Sequence, residues 1–289
     1  MPLTAPEEAA CRKLIEMALA EDLGEAGDIT SKAVIPADLP GEAAFVARAD
    51  GVVAGLSAAA LVCSMVDVNL AYNPELEDGA RVKPGDFLAT VDGPMRSILA
   101  AERTALNFLQ HLSGVATLTS KFVDAIAGLA TQILDTRKTT PGWRLLEKHA
   151  VRCGGGCNLR MGLYDGVLIK DNHLAAVAHN VLLTDVVKKA QDFAKQKVPV
   201  EVEVEALSQL ERVLPLRPTI VMLDNMSAEQ MRAAVAMRNK MAPGVLLEAS
   251  GGVTLLTVRA IAETGVERIS VGALTHSAPA LDIALDYLS

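Results

Sequence analysis

Six short apolar runs recur after residue 130, and segments with helical periodicity separate them. The runs are QILD at 132–135, GVLIK at 166–170, VEVEV at 200–204, TIVML at 219–223, VLLEA at 245–249 and RISVG at 268–272. Strands that alternate with helices predict parallel βαβ units, because parallel strands need a long crossover connection. The sequence therefore predicts either a β/α barrel or an open parallel sheet.

Polar or glycine residues follow nearly every apolar run, and this favours the barrel. They are Asp135 to Lys138, Lys170, Glu203 with Glu205, Asp224, Ser250 to Gly252, and Gly272 to Thr275. Active sites of β/α barrels form where the strands end. An open dinucleotide-binding sheet would place a GxGxxG motif after its first strand, and the sequence has none. Because only six strands are predicted, we expect an incomplete barrel.

The region before residue 115 has a different pattern of apolar residues and turns, which predicts a smaller α/β domain. Residues 7–20 have helical periodicity, and residues 41–95 contain short β-like runs with DG and PG turns. Residues 97–130 predict two helices broken near Ser113 and Gly114. We therefore predict domains at 1–114 and 115–277, with a C-terminal helix at 278–289 that packs on the first domain.

Composition excludes several classes of protein. The formal net charge is -8 and aromatic residues make up 3% of the chain, which argues against nucleic-acid binding. No apolar run is long enough for a membrane span, and no secretory signal is recognisable at the N-terminus. The four cysteines are too scattered for a disulfide framework, and Cys153 and Cys157 predict reduced thiols in a glycine turn rather than metal ligands. We expect a cytoplasmic protein.

Residues 135–173 collect cations in an otherwise acidic chain. Seven Lys and Arg residues and four acidic residues give this stretch a net charge of +3. Arginine side chains bind carboxylates and phosphates through paired hydrogen bonds. The stretch therefore predicts a pocket for a small polyanion.

The VEVEVE run places three carboxylates on one strand face. Glu201, Glu203 and Glu205 alternate with valines, so the period of two separates the acids from the apolar side chains. In a barrel the valines would face the helices and the glutamates the interior. A buried row of carboxylates is costly unless cations or a metal ion neutralise it.

Glycine-rich strand ends late in the chain predict a phosphate site. Backbone N–H groups at such positions bind phosphate without side-chain charge. The predicted residues are Ser250, Gly251, Gly252, Gly272, Ala273 and His276.

Ordered motifs along nearly the whole chain resemble one known family. They include EDLGEAGDIT at 21–30, ERTALNFLQHLSGVAT at 102–117, TRKTTPG, CGGG-x-N-x-R, LIKDNH, MLDNM at 222–226 and ISVGALTHSAP at 269–279. The chain resembles the quinolinate phosphoribosyltransferases, decarboxylating enzymes of NAD biosynthesis that make nicotinate mononucleotide. The resemblance implies an open or seven-stranded β/α barrel and an N-terminal α/β sandwich domain.

The resemblance also implies substrates and roles for individual residues. The substrates are quinolinate and phosphoribosyl pyrophosphate, with Mg²⁺ as cofactor, in a homodimer or larger assembly without nucleic acid or membrane. Arg137, Arg160 and Lys170 match positions that bind quinolinate, and Arg103 matches one contributed across a dimer interface. Lys138 lies beside Arg137 at a strand end, and we expect it to bind the phosphoribosyl donor and to act in catalysis. Glu203 and Asp224 match positions that meet the Mg²⁺-bound pyrophosphate and the ribose hydroxyls, so their contact with the metal is indirect.

One position departs from the family motif, and alternatives remain. The motif normally reads N-H-R, whereas this chain has Leu159 between Asn158 and Arg160. An apolar side chain cannot bind a carboxylate, so the chain could act on another aromatic acid. A second alternative is a phosphosugar aldolase that forms a Schiff base at Lys170. A third is a regulatory descendant without activity, which would be expected to lose the donor-site residues.

Overall fold

The computed structural model describes residues 1–176 and 182–288. The chain divides into two compact units that interleave along the sequence. The first comprises Met1–Ser120, Lys138–Gly156 and Ala273–Ser289, and the second comprises Lys121–Arg137 and Cys157–Gly272. Residues 177–181, which fall inside the predicted 115–277 domain, and Ser289, the last residue of the predicted C-terminal helix, lie outside the described residues. No helix in the described parts of the chain is both long and apolar enough to cross a membrane.

The first unit is built on an antiparallel sheet. Its strands are β1 (Pro40–Ala47), β2 (Gly51–Val52), β3 (Ala71–Pro74), β4 (Arg81–Val82), β5 (Phe87–Pro94) and β12 (Ile283–Tyr287). Its helices are α1 (Ala5–Leu23), α2 (Ile29–Val34), α3 (Leu56–Val66), α4 (Met95–Ala125, which ends in the second unit), α5 (Arg144–Cys153) and α11 (Ala273–His276). Four strands pair in the order β12-β1-β5-β3, and β2 pairs with β4. The predicted α/β architecture of this part of the chain is confirmed, although the first unit contains more residues than the second.

The second unit contains the six predicted strands as one parallel sheet. They are β6 (Gln132–Leu134), β7 (Val167–Ile169), β8 (Val200–Val204), β9 (Ile220–Asp224), β10 (Leu246–Ser250) and β11 (Arg268–Ser270). Between them lie α6 (Asp171–Ala176), α7 (Leu183–Ala194), α8 (Leu207–Val213), α9 (Ala228–Met241) and α10 (Val258–Ala262). The strand order is β6-β11-β10-β9-β8-β7, so β6 and β7 are edges. An incomplete, open β/α barrel is therefore confirmed.

Burial on both faces explains why the barrel strands read as apolar runs. Every residue of β8 is buried, including both of its glutamates. A parallel sheet covered by helices leaves no solvated face, so its strands lack the simple alternation of a half-exposed strand. The helices, in contrast, are delimited by polar caps: at the start of α9, Ser227 and Gln230 exchange side-chain to backbone hydrogen bonds of 2.8 and 3.2 Å.

The prediction of a helix break near Ser113 and Gly114 was wrong. Helix α4 runs without interruption from Met95 to Ala125. Ser113 points its hydroxyl at Ala54, where it accepts from the backbone N–H at 3.0 Å and contacts the carbonyl at 3.1 Å. A Cβ atom on Gly114 would lie 2.2 Å from the carbonyl oxygen of Pro279. Both residues are small because other chain segments approach the helix there, and not because the helix ends.

The predicted C-terminal helix at 278–289 was also wrong. Residues Ile283–Tyr287 form strand β12, which pairs antiparallel with β1 from Ala43 opposite Tyr287 to Ala47 opposite Ile283. The outer edge of β1 needs hydrogen-bond partners, and an extended segment supplies them where a helix cannot. The segment does pack on the first unit, as predicted.

Helix α3 lies within the stretch that predicts only short strands. Its buried residues include Leu56, Ala59, Val62 and Cys63, which recur every three or four positions. This is the spacing of a helix face that packs on a sheet. The alanine-rich composition of residues 58–60 was the available signal for it.

The close approach at Gly114 predicts a large effect of one methyl group. Gly114→Ala should lower the free energy of unfolding by about 1–3 kcal/mol, because the Cβ atom would collide with a backbone carbonyl that cannot move away freely. Gly244→Ala is the matched control, since a Cβ atom there meets nothing within 4 Å, and it should change stability by less than about 0.5 kcal/mol. Urea unfolding measures both. Stabilisation by Gly114→Ala would contradict the packing argument.

Candidate active site

Parallel pairing brings four predicted site residues to one edge of the second unit's sheet. Lys170 follows β7, Glu203 lies near the end of β8, Asp224 ends β9 and Ser250 ends β10. Ser250 is in register with Asp224 on the neighbouring strand. Because parallel strands all end on the same side, these side chains belong to one rim, which is where β/α barrels perform chemistry.

Lys170 and Glu203 form an ion pair on this rim. Lys170 Nζ donates to Glu203 Oε2 at 3.0 Å, and the lysine side chain is 45% exposed while the glutamate side chain is 7% exposed. The glutamate therefore fixes the position of a partly exposed cation. A fixed ammonium group is well suited to meet an incoming anion.

Arg137 and Arg160 place two guanidinium groups near one another. Burial, followed by the positive charge of Arg137, lowers the pKa of Arg160. Arg137 Nε is buried and has no hydrogen-bond partner among the described residues. Arg160 donates to the carbonyl of Gly166 at 3.1 Å. Two close cations with an unsatisfied buried donor are costly unless an anion binds between them, so the pair fits a carboxylate ligand.

Asp135 holds the segment that carries Arg160. It follows β6, is fully buried, and accepts hydrogen bonds from Asn158 Nδ2 at 2.7 Å and from the backbone N–H of Leu159 at 2.8 Å. The sequence analysis assigned no role to this aspartate. Its signal was its place at a strand end, where a fully buried carboxylate must have donors.

Asp165 closes the turn after Arg160. Its carboxylate accepts from the backbone N–H groups of Met161 at 2.6 Å and Gly162 at 2.9 Å. Although burial acts in the opposite direction, these two hydrogen bonds lower the pKa of Asp165. Asp135 and Asp165 thus hold Arg160 from both sides along the chain, and neither was predicted.

Leu159 lines a small cavity of about 240 Å³ in the second unit. The same cavity is bounded by Arg160, Glu201 and Arg268. The apolar side chain is thus a neighbour of the predicted quinolinate-binding arginine, on a wall that also contains buried charged groups. A larger or polar side chain at residue 159 would change the surroundings of Arg160 directly.

The barrel interior contains two neighbouring carboxyl groups, those of Glu201 and Glu248. We predicted that cations would neutralise buried carboxylates here, and among the described residues a cation lies beside only one of the two. Glu248 Oε2 lies 3.0 Å from Arg268 Nε, and both acids of the pair, Glu201 and Glu248, are buried. Burial, followed by the charge of Glu248, raises the pKa of Glu201 to about 8. Burial also raises the pKa of Glu248, against the opposing effect of Arg268. The pair therefore retains a proton at neutral pH instead of two charges. The sequence analysis missed Glu248 and Arg268.

The turn after β10 presents backbone groups to open space. Gly251 and Gly252 have φ values of +92° and +59°. A Cβ atom on Gly251 would lie 2.2 Å from Asn225 Oδ1, whereas one on Gly252 would meet nothing within 4 Å. Only glycine fits the first position, and the second leaves room for a ligand beside the backbone, as the predicted phosphate site requires.

The other predicted site residues belong to the first unit, except Gly272, which ends the second. Arg103 is exposed on α4, and Lys138 is exposed with its carbonyl accepting from Thr275 Oγ1 at 2.8 Å. Ala273 begins α11 and His276 ends it. His276 Nδ1 lies 2.6 Å from Ser277 Oγ.

A buried acid supports the loop that follows Lys138. Glu147 is fully buried on α5 and accepts from the backbone N–H of Thr140 at 3.1 Å. Its other oxygen lies 3.0 Å from His111 Nε2 on α4. Trp143 stacks on Phe108 with ring centroids 4.7 Å apart. These contacts fix the residues on both sides of the TTPG turn, and the sequence analysis did not identify them.

Comparisons with known proteins identify the family of the chain. The chain matches the family models described as quinolinate phosphoribosyl transferase, N-terminal domain over residues 28–113 and C-terminal domain over residues 115–286. It is 46% identical over 279 residues to nicotinate-nucleotide pyrophosphorylase [carboxylating] of Mycobacterium leprae, covering 96% of this chain and 97% of the relative. It is 40% identical to the probable nicotinate-nucleotide pyrophosphorylase [carboxylating] of Bacillus subtilis, covering 95% and 92%.

Solved structures give the same result. The nicotinate-nucleotide pyrophosphorylase of Francisella tularensis superposes with a TM-score of 0.90 at 39% identity, covering 99% of this chain and 98% of that one. NadC of Streptococcus pyogenes superposes with a TM-score of 0.91 at 36% identity and covers 100% of both chains. Two family models that together span most of the chain, and relatives matched over nearly their full length, leave one conclusion. The chain belongs to the quinolinate phosphoribosyl transferase family.

Proposed function

We propose that this chain transfers a phosphoribosyl group from phosphoribosyl pyrophosphate to quinolinate, with release of pyrophosphate and carbon dioxide, to give nicotinate mononucleotide for NAD biosynthesis. The observation that carries the proposal is the Arg137 and Arg160 pair with its unpartnered buried donor. A pyridine dicarboxylate is an anion of the size and charge that such a pair binds. Family membership supports the same reaction.

The acid substrate would be held by fixed cations. Arg137 and Arg160 supply bidentate donors, and Lys170 supplies a third cation held by Glu203 at 3.0 Å. Because Asp135 and Asp165 fix the segment around Arg160, the substrate would meet a site that needs little reorganisation.

The donor would bind at the ends of β8 to β11. Glu203 lies near the end of β8 and Asp224 ends the neighbouring β9, and oxygen ligands of this kind suit Mg²⁺ or the hydroxyl groups of ribose. Mg²⁺ carried by the donor would supply charge stabilisation for the departing pyrophosphate. Lys138 would meet the donor phosphates, and Ser250 to Gly252 with Gly272, Ala273 and His276 would bind the 5′-phosphate.

The chain's own part in the reaction is positioning and charge stabilisation. Substitution at the anomeric carbon develops positive charge on the sugar and negative charge on the leaving group, so carboxylates near the ribose and cations near the phosphates lower the barrier. Once the ring nitrogen is glycosylated, its positive charge stabilises the electron pair left on C2 as carbon dioxide leaves, and a proton from solvent then takes the place of the carboxylate on C2. The protein then has to hold and partly desolvate that carboxylate.

The aldolase alternative is not supported. A Schiff-base lysine must be unprotonated to attack a carbonyl, and such lysines are desolvated or placed beside another cation. Lys170 is instead 45% exposed and its Nζ pairs with the carboxylate of Glu203, which is not the environment of such a lysine. The regulatory alternative also lacks support, because the donor-site residues Lys138, Glu203 and Asp224 are all present.

We infer a homodimer, or a larger assembly of dimers, with a shared site. The inference rests on Arg103, which is exposed on α4 and matches the family position contributed across a dimer interface. We also infer a cytoplasmic location, since all four cysteines are free thiols and reduced thiols are characteristic of cytosolic proteins.

The reaction is tested by following both products at once. The chain with quinolinate, donor and Mg²⁺ should release carbon dioxide and pyrophosphate in equal amounts. Asp224→Asn should lower kcat by about 100-fold or more while leaving the dissociation constant of quinolinate nearly unchanged, because it removes an interaction with the donor alone.

Glu203→Gln is compared with Asp224→Asn to separate effects on the donor from effects on quinolinate. It should lower kcat as well, but it also removes the partner of Lys170, so quinolinate affinity should change too. Release of pyrophosphate without carbon dioxide would overturn the reaction. Loss of quinolinate affinity alone in Asp224→Asn would overturn the assignment of that residue.

A shared site predicts complementation between two inactive variants. Arg103→Ala and Lys170→Ala chains should each be inactive alone, and mixing them through unfolding and refolding should restore part of the activity, because each mixed dimer contains one intact site. Activity is measured after separation of mixed dimers by differential affinity tags. Verified mixed dimers without activity would contradict the proposal.

We predict that a histidine in place of Leu159 increases the affinity for quinolinate. Leu159→His should tighten quinolinate binding by about 5- to 30-fold, equal to about 1–2 kcal/mol, because it restores a donor beside Arg160. Leu159→Met is the matched control and should change nothing. If the native leucine instead marks a different aromatic acid, the native chain should prefer nicotinate and Leu159→His should lose that preference. Unchanged dissociation constants for both acids would show that residue 159 does not face the substrate.

A further inference from the structure

Three potential metal ligands meet inside the first unit. Asp78 precedes β4, and His149 and Cys153 lie four residues apart on one face of α5. His149 Nε2 is 3.1 Å from Asp78 Oδ2 and 3.3 Å from Cys153 Sγ. One ligand atom from each residue lies within 4.8 Å of the others, and all three residues are buried. The reaction proposed above uses none of them.

The arrangement around His149 is that of ligands facing a common centre. An oxygen and a sulfur approach the same ring nitrogen, and one N–H group cannot point at both. The other nitrogen, Nδ1, lies 3.8 Å from Glu7 Oε2 and 3.3 Å from Arg152 Nη2. Because Arg152 can only donate, Nδ1 accepts from it in this structure, so a metal on Nε2 would require the ring proton to move to Nδ1 and Arg152 to turn away; Glu7, at 3.8 Å, is the carboxylate on that side of the ring. Metal-bound histidines generally have such a partner.

Charge balance also suits a divalent cation. Glu7 is neutralised by Arg152 through a contact of 2.7 Å. Asp78 and a Cys153 thiolate would together carry two negative charges, which one divalent cation cancels, so that no net charge is buried. Burial, followed by the charge of Asp78, raises the pKa of Cys153 to about 12. The metal would therefore have to displace the thiol proton as it binds.

A cavity reaches one member of the cluster, Asp78. It has a volume of about 350 Å³, and Asp78, Leu56 and Tyr72 lie in its wall. The hydroxyl of Tyr72 is buried and has no hydrogen-bond partner among the described residues. A three-residue zinc site leaves a fourth position for water or another small ligand, and a cavity with an unsatisfied hydroxyl group can accommodate one.

We propose that Asp78, His149 and Cys153 bind a divalent cation of the zinc class. Imidazole and thiolate ligands favour zinc over magnesium, so this site differs in chemistry from the Mg²⁺ that accompanies the donor. The bound metal joins α5 to the segment before β4. Because α5 also carries Glu147, which holds Thr140 after Lys138, the site stabilises the helix that supports that loop.

The test uses the full-length protein loaded with Zn²⁺, desalted and analysed for metal. The native chain should retain about one equivalent of zinc. Cys153→Ser and His149→Asn should each weaken zinc binding at least about 10-fold. Cys157→Ser is the matched control, because Cys157 lies outside the cluster although it is close to Cys153 in sequence. Asp224→Asn is the second control, and both controls should keep their zinc.

Cobalt binding to the native chain tests the site even if a ligand variant fails to fold. The native chain loaded with Co²⁺ should show a thiolate-to-cobalt absorption band in the near ultraviolet, and Cys157→Ser should show it as well. Absence of this band, or less than about one tenth of an equivalent of zinc in the native chain, would overturn the site. So would loss of zinc in Cys157→Ser, which would indicate a cysteine pair, or in Asp224→Asn, which would place the metal with the donor ligands.

Discussion

Parallel hydrogen bonding between β8, β9 and β10 is the constraint on which the site depends. The register sets Glu203 opposite Met222 and Ser250 opposite Asp224, so residues far apart in sequence share one rim. A slip of one residue would turn every side chain of a strand to the other face. Arg137 and Lys170 follow β6 and β7 within three residues, so both cations start from the same edge of the sheet.

The two buried acids inside the barrel and the two neighbouring arginines differ in how their charge is accommodated. Inside, Glu201 and Glu248 avoid two negative charges by retaining a proton. Arg137 and Arg160 keep their positive charges close together, the carboxylates of Glu201 and Asp165 oppose the lowering of the pKa of Arg160, and Arg137 Nε has no hydrogen-bond partner among the described residues. Guanidinium groups cannot lose a proton at any relevant pH, so an anionic ligand beside this pair would be stabilised.

The sequence predicts the elements that obey simple periodicity and misses those that depend on distant contacts. All six barrel strands were predictable because apolar runs and terminal polar residues are local signals. The unbroken α4 was not predictable, because Gly114 is required by the close approach of the Pro279 carbonyl, which is distant in sequence. Strand β12 was not, because it depends on the free edge of β1. Motif resemblance identified the rim residues, but the supporting acids Asp135 and Glu147 emerged only from their hydrogen bonds.

Strand β12 also imposes an order on folding during synthesis. The first unit contains residues from both ends of the chain, and every strand of the second unit is made before Ile283–Tyr287 leaves the ribosome. Until then β1 has β5 on one side and an unpaired edge on the other. Unpaired edges invite pairing with other chains. Before Ile283–Tyr287 is made, β1 therefore has an edge on which another chain could pair, and β12 covers that edge once it is formed.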